Sequence, residues 1–211
     1  MITDKEFNEA TLKFDETEKR GSFYNMALTL FDNNFEIEAY FLILTTWNFA
    51  VFRYALKDFD IDGFKEQIRK LNVHFEIIKN EKLQTIDFDK YKEDIKKIYE
   101  TLANIKGIQF TGASKIMHIR NRNVFVMWDG YIRGTKPKKY YDEIEIVKNG
   151  SWQLRKYNKN GEGYFQFLKD MQERFKNINF HSANKSFAKA IDEYNYINIT
   201  MKIQEKEKNE E

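Results

Sequence analysis

Proline occurs once in this 211-residue chain, at Pro137, and glycine only nine times. Both residues interrupt helices, proline by removing a hydrogen bond and glycine by its backbone entropy, so their scarcity leaves long stretches free to stay helical. The apolar spacing points the same way. Thr3 and Glu6 form a capping box ahead of Phe7, Ala10 and Phe14, which recur at helical intervals. That first helix is expected to end near Gly21, and Phe23 to Phe31 reads as a short apolar piece. Residues 35–56 are apolar on nearly every face, which predicts a central buried helix with Trp47, Asn48 and Arg53 as unusual members. A buried Asn48 must be hydrogen-bonded in place or line a pocket.

Ile61, Phe64, Ile68 and Leu71 share one helical face, while 73–78 fits helix or strand. Asp89 is placed to cap a helix carrying Tyr91, Ile95, Ile98, Tyr99 and Leu102. Ile144 and Ile146 alternate with Glu143 and Glu145 ahead of Asn149-Gly150, the pattern of a small β-hairpin near 143–156. Tyr164 to Ile178 and Ser186 to Tyr194 are amphipathic helices, and 201–211 reads as a charged flexible tail. The expectation is a mainly α protein with a single helical domain over residues 1–200.

Aromatic residues make up 16% of the chain, enough to build a substantial core. The absence of cysteine excludes disulfides, thiolate zinc sites and iron–sulfur clusters, and no cofactor is expected. His74, His118 and His181 lack metal-ligand spacing, so no metal is expected. The most apolar run, Ala39 to Phe52, is shorter than the ~20 residues a membrane span needs, and the polar N-terminus is unlike a secretory signal. A cytoplasmic protein without a membrane association is the reading that follows.

The densest chemistry lies in LANIKGIQFTGASKIMHIRNRNVFVMWDGYIR, residues 102–133. Between Asn104 and Lys139 the basic residues are Lys106, Lys115, Arg120, Arg122, Arg133, Lys136, Lys138 and Lys139, and the one acid is Asp129. The whole chain carries only +2, so nucleic-acid affinity has to come from such a local stretch.

This stretch resembles the helix-hairpin-helix DNA glycosylase superfamily (HhH-GPD), as a divergent member of prokaryotic type, with the motif at about 91–133. Leu102 and the turn Ile105-Lys106-Gly107-Ile108-Gln109 match the family's hairpin, Thr111-Gly112-Ala113 its helix start, and Asp129 its catalytic aspartate. The turn's usual proline is Lys106, its second glycine is Gln109, and the lysine of lyase-type members is Thr111. The resemblance implies a monofunctional DNA glycosylase fold that binds double-stranded DNA and hydrolyses the N-glycosidic bond of a damaged or mispaired base. It assigns DNA contact to Lys106, Gly107, Ile108, Gln109, Thr111 and Gly112, and the catalytic carboxylate to Asp129.

The chemistry fits those residue types. A helix N-terminus offers unpaired N–H groups to a phosphate, and a carboxylate stabilises the cationic sugar formed as the base departs. Trp128, Tyr131, Trp47 and Asn48 are candidates for a pocket that receives a flipped base. Lys115 stands one helical turn beyond Thr111, and its side chain leans toward the same mouth, which makes it a second catalytic candidate. Two other readings stay open: a non-catalytic DNA-binding module, and a protein-interaction domain whose basic residues scatter over several faces.

Overall fold

The structure, a computed structural model, describes residues 2–210. It is built from helices throughout, and no strand occurs among the described residues. None of its helices is long and apolar enough to cross a membrane.

Helix α1 (Asp4–Thr17) starts on the capping box, with Thr3 and Glu6 each satisfying the other's backbone N–H. Residues 23–31 belong to a full helix, α2 (Gly21–Asp32), that pairs with α3 (Glu36–Trp47). The continuous helix expected over 35–56 breaks at Asn48, whose φ/ψ of −128°/17° leave the helical region. A short α4 (Phe49–Phe52) and a single 3₁₀ turn (Leu56–Asp58) follow. This segment is not buried all round either, because Phe35, Phe49, Tyr54 and Leu56 stand exposed.

Helix α5 (Ile61–Ile78) runs unbroken through Val73. Helix α6 (Lys92–Ala103) begins after Tyr91, so Asp89 does not cap it; Asp89 instead pairs with Lys169. The central buried helix is α7 (Gln109–Arg120), whose residues from Gly112 to Ile119 are all buried. Small residues explain how: a Cβ on Gly112 would lie 2.9 Å from Leu44 and 2.8 Å from Asn48, so α3 packs directly on the α7 backbone. Helices α6, α3 and α2 surround α7, and α10 (Gly161–Phe175) packs on the far side of α6.

No β-hairpin forms at 143–156. The short helix α8 (Lys138–Asp142) ends just before the segment, which itself holds α9 (Glu145–Lys148), and Gly150 at φ +73° follows α9. A glycine in the left-handed region ends a helix as readily as it makes a hairpin turn. Beyond 180, α11 (Phe187–Asn195), a π-helical turn (Tyr196–Thr200) and α12 (Met201–Glu210) form one continuous rod. The tail expected to be flexible is therefore, over its described residues, a docked helix. Glu207 bonds Tyr131 and Lys136, and Glu210 bonds Lys139 and Tyr140.

Between α7 and Asp129 the chain turns at 122–124 and then crosses the core as an irregular buried run, Phe125 to Trp128, without a strand partner. Its backbone is satisfied by side chains instead: His118 Nδ1 on the Phe125 carbonyl, Tyr164 Oη on that of Val126, and Ser114 Oγ on the Trp128 N–H. The Phe125 carbonyl fixes a proton on His118 Nδ1, so Nε2 accepts from Tyr24 Oη at 2.8 Å and the ring is held neutral. Burial accordingly pushes His118 from 6.5 down to about 4. A depressed folded-state pKa means stability that is present above the unfolded value and is lost as pH falls toward the folded one. Unfolding free energy should drop between pH 6.5 and 4 by on the order of 3 kcal/mol on this account. Denaturant titrations of wild type and His118→Gln check it; equal pH slopes for the two proteins would refute the assignment.

Candidate active site

The turn leading into α7 holds two residues in the left-handed region. Gly107 has φ +89°, and Gln109 takes up the left-handed conformation at φ +51°, which is uncommon for a residue with a Cβ. Asn48 holds the turn from behind, its Nδ2 donating to the carbonyls of Gly107 and Ile108 at 3.2 and 3.1 Å. The underside of Gly107 is closed by Ala55, whose Cβ would lie 2.4 Å from an added methyl. The N–H groups of Phe110 and Thr111 have no hydrogen-bond partner among the described residues, which leaves two donors at the helix start. Lys106 and Gln109 are exposed, Thr111 is half-buried, and Gly107, Ile108 and Gly112 are buried. Ile108 and Gly112 thus pack the hairpin rather than face a ligand.

The basic stretch does not form a patch. Arg120 pairs with Glu36, Arg122 with Asp32, Lys136 with Glu207, Lys138 with Asp142 and Lys139 with Glu210. Lys115 and Arg133 are buried, and Lys106 lies 4.0 Å from Asp58. Charge that is contiguous in sequence is scattered and largely neutralised in space, the arrangement that the protein-interaction reading expects.

Asp129 has a different setting. Its Oδ1 accepts the Ile132 N–H at 2.8 Å, a turn cap, and its Oδ2 accepts the Thr200 hydroxyl at 2.9 Å. The π turn in the C-terminal rod carries Tyr196 and Thr200 toward it, a use typical of π-bulges at functional sites, and Gln204 of α12 lines the same cavity. Capping does not close the carboxylate off, for it lines a half-enclosed cavity of about 210 Å³ together with Lys115, Trp47, Trp128 and Asp192. Glu18 and Arg20, paired with each other, also line it. This is below the ~300–1,000 Å³ of drug-sized sites and suits a single ring system. A groove of about 510 Å³ between Ser151 and Arg174 is more open to solvent, whereas one of about 410 Å³ lined by Tyr24, Lys189 and Glu193 is as enclosed.

Lys115 makes no hydrogen bond or ion pair among the described residues, although it is only 6% exposed. Burial holds its amine below the ordinary lysine range, with Asp192 and then Asp129 opposing the shift. Burial likewise raises Asp129, against the pull of the Ile132 N–H, Lys115 and Thr200. An amine and a carboxylate shifted toward each other in one cavity are candidates for an acid and base pair.

Four base-pocket candidates separate into two pairs. Trp47 and Trp128 line the cavity. Asn48 grips the hairpin instead, and Tyr131 turns away to bond Glu207 at 2.9 Å. Asp192, Tyr196, Thr200 and Gln204 were not indicated by sequence. The only hint of Asp192 was an acid beside Lys189 and Glu193 on an otherwise apolar helix. Comparisons with family models, with curated proteins and with solved structures find no match to this chain.

Proposed function

We propose that the protein is a monofunctional DNA base-excision glycosylase with a helix-hairpin-helix core, acting on double-stranded DNA that carries a damaged or mispaired base. The observation that carries this reading is Asp129 lining a ring-sized cavity between Trp47 and Trp128, at the end of a run that starts from the hairpin helix. The left-handed Gln109 and the two free N–H groups of α7 support it by offering a phosphate anchor that reads no sequence.

In this mechanism the hairpin holds the strand and the target base rotates into the cavity. The N-glycosidic electron pair leaves with the base, which takes a proton from the Lys115 ammonium. Asp129 stabilises the cationic sugar and removes a proton from the water that attacks it. Incubation with duplexes carrying a panel of damaged and mispaired bases should yield abasic sites from at least one. Borohydride should trap no protein–DNA adduct. A trapped adduct that is lost in Lys115→Gln would make the enzyme a lyase, and no abasic product from any duplex would end the catalytic reading.

One observation favours a second reading, a non-catalytic helix-hairpin-helix DNA-binding protein: both Asp129 oxygens already accept hydrogen bonds. It expects salt-sensitive duplex binding that Lys106→Glu weakens, with no product formed.

A further inference from the structure

Segment 49–57 is an outward-facing ledge locked to the hairpin. Below it, Phe52 and Ala55 are buried, and Ala55 seals the underside of Gly107. Above it, Phe49 is 49% and Tyr54 73% exposed. Arg53 lies between the two rings, 4.6 Å from the Tyr54 centroid and 5.7 Å from that of Phe49, and bonds Tyr54 Oη at 2.7 Å. Neither Arg53 nor Lys57 has an acidic partner among the described residues, and Lys106 on the hairpin is opposed by Asp58 at 4.0 Å.

The position in the chain matters as much as the exposure. Trp47 lines the cavity, Asn48 grips the hairpin carbonyls, and Phe49 stands in solvent. Three successive residues thus join pocket, anchor and ledge within about 7 Å of backbone. Two exposed aromatic rings flanking a solvent-facing guanidinium present stacking faces to solvent. Rings and guanidinium planes stack on any unpaired base, and unpaired cations attract the phosphates that link bases together.

We infer that Phe49, Arg53 and Tyr54 form a stacking platform for an unpaired nucleobase, so that the protein takes single-stranded or locally opened DNA in preference to intact duplex. This rests on the nucleic-acid reading of the hairpin but not on catalysis. A base inside a duplex offers no free face to the platform, whereas a gap, a mismatch or a single strand does.

The test is binding of the full chain to three fluorescent probes of one sequence: single strand, duplex with a one-base gap, and intact duplex. Each carries an adenine analogue whose emission falls on stacking. The single strand and the gapped duplex should bind more tightly than intact duplex and quench the analogue. Phe49→Ala/Tyr54→Ala should weaken those two by about 10-fold or more and abolish the quenching, with intact duplex unaffected. Phe49→Tyr/Tyr54→Phe should behave as wild type, which separates a lost ring from a lost fold. Equal affinity for all three probes, or an unchanged alanine double variant, overturns the platform. So does concentration-dependent self-association that the alanine variant abolishes, because the ledge would then belong to a second copy. Excision at the wild-type rate by the alanine variant on every substrate would remove the platform and leave the glycosylase reading standing. Platform binding without excision would do the reverse.

Discussion

Replacing Asp129 by Asn should cost excision about 10²–10³-fold while leaving the protein at least as stable as wild type. The two halves of this expectation come from the same geometry. Asparagine keeps an oxygen for the Ile132 N–H, and its amide can meet the Thr200 oxygen once that hydroxyl turns over. The turn at 129–132 therefore survives. What disappears is a negative charge whose burial raises its pKa, which means that the folded state disfavours the ionised form. Removing a disfavoured charge does not destabilise the fold at neutral pH. Under the proposed mechanism that charge is what the cationic sugar meets, so the loss falls on the chemical step. Single-turnover excision and thermal unfolding, measured on one preparation, decide the matter. Full activity in the variant, or a loss of activity matched by a collapse in stability, would both count against Asp129 as the catalytic carboxylate.

Such a separation of activity from stability could not have been drawn from sequence, and the reason is distance along the chain. Local chemistry was legible: the Thr3–Glu6 box, the helical face of Tyr99 and Leu102, and the turn at Gly107 lie within a few residues of their causes. The break at Asn48 was not, because what holds Asn48 out of the helix is a pair of carbonyls some sixty positions away. Residues 35–56 read as the buried centre because their composition is apolar. Position 112 decides the point instead, since a glycine there lets α3 lie against the α7 backbone. The basic run misled for a related reason. Its counter-ions come from Asp32, Glu36, Glu207 and Glu210, at both ends of the chain. Thr200, too, reaches Asp129 across 71 positions. Helical geometry placed Lys115 only at the mouth near Thr111, whereas the cavity it lines with Asp129, and that cavity's C-terminal wall, were not readable.

That wall rests on a buried cation, and its removal should produce a large stability loss. Lys189 is 1% exposed, bonded to Asp192 at 2.9 Å and to Glu193 at 3.3 Å, and ringed by Phe14, Tyr24 and Trp47 at 4.3, 5.1 and 5.0 Å. Its amine is desolvated, but the two carboxylates more than compensate and keep it protonated. Lys189→Met would fill the space and leave Glu193, itself 2% exposed, with Lys185 as its remaining cation. Breaking a buried pair from one side costs about 3–5 kcal/mol. For a chain of this length that is roughly 6–20 °C in Tm. The pH dependence gives the mechanism away. Burial already raises Glu193, and without Lys189 it rises further. A raised folded-state pKa favours folding below the unfolded value and loses that contribution as pH climbs, so the deficit should be larger at pH 8 than at pH 5. Lys189→Met/Glu193→Gln should recover much of the loss at pH 8. Because Asp192 hangs from the same amine and lines the cavity with Lys115, the single variant should also slow any excision the protein performs. Thermal scans of the three proteins at both pH values test the argument: a Lys189→Met protein within about 1 kcal/mol of wild type at pH 8, or a deficit that grows on acidification, would show that the cation is not what holds the wall.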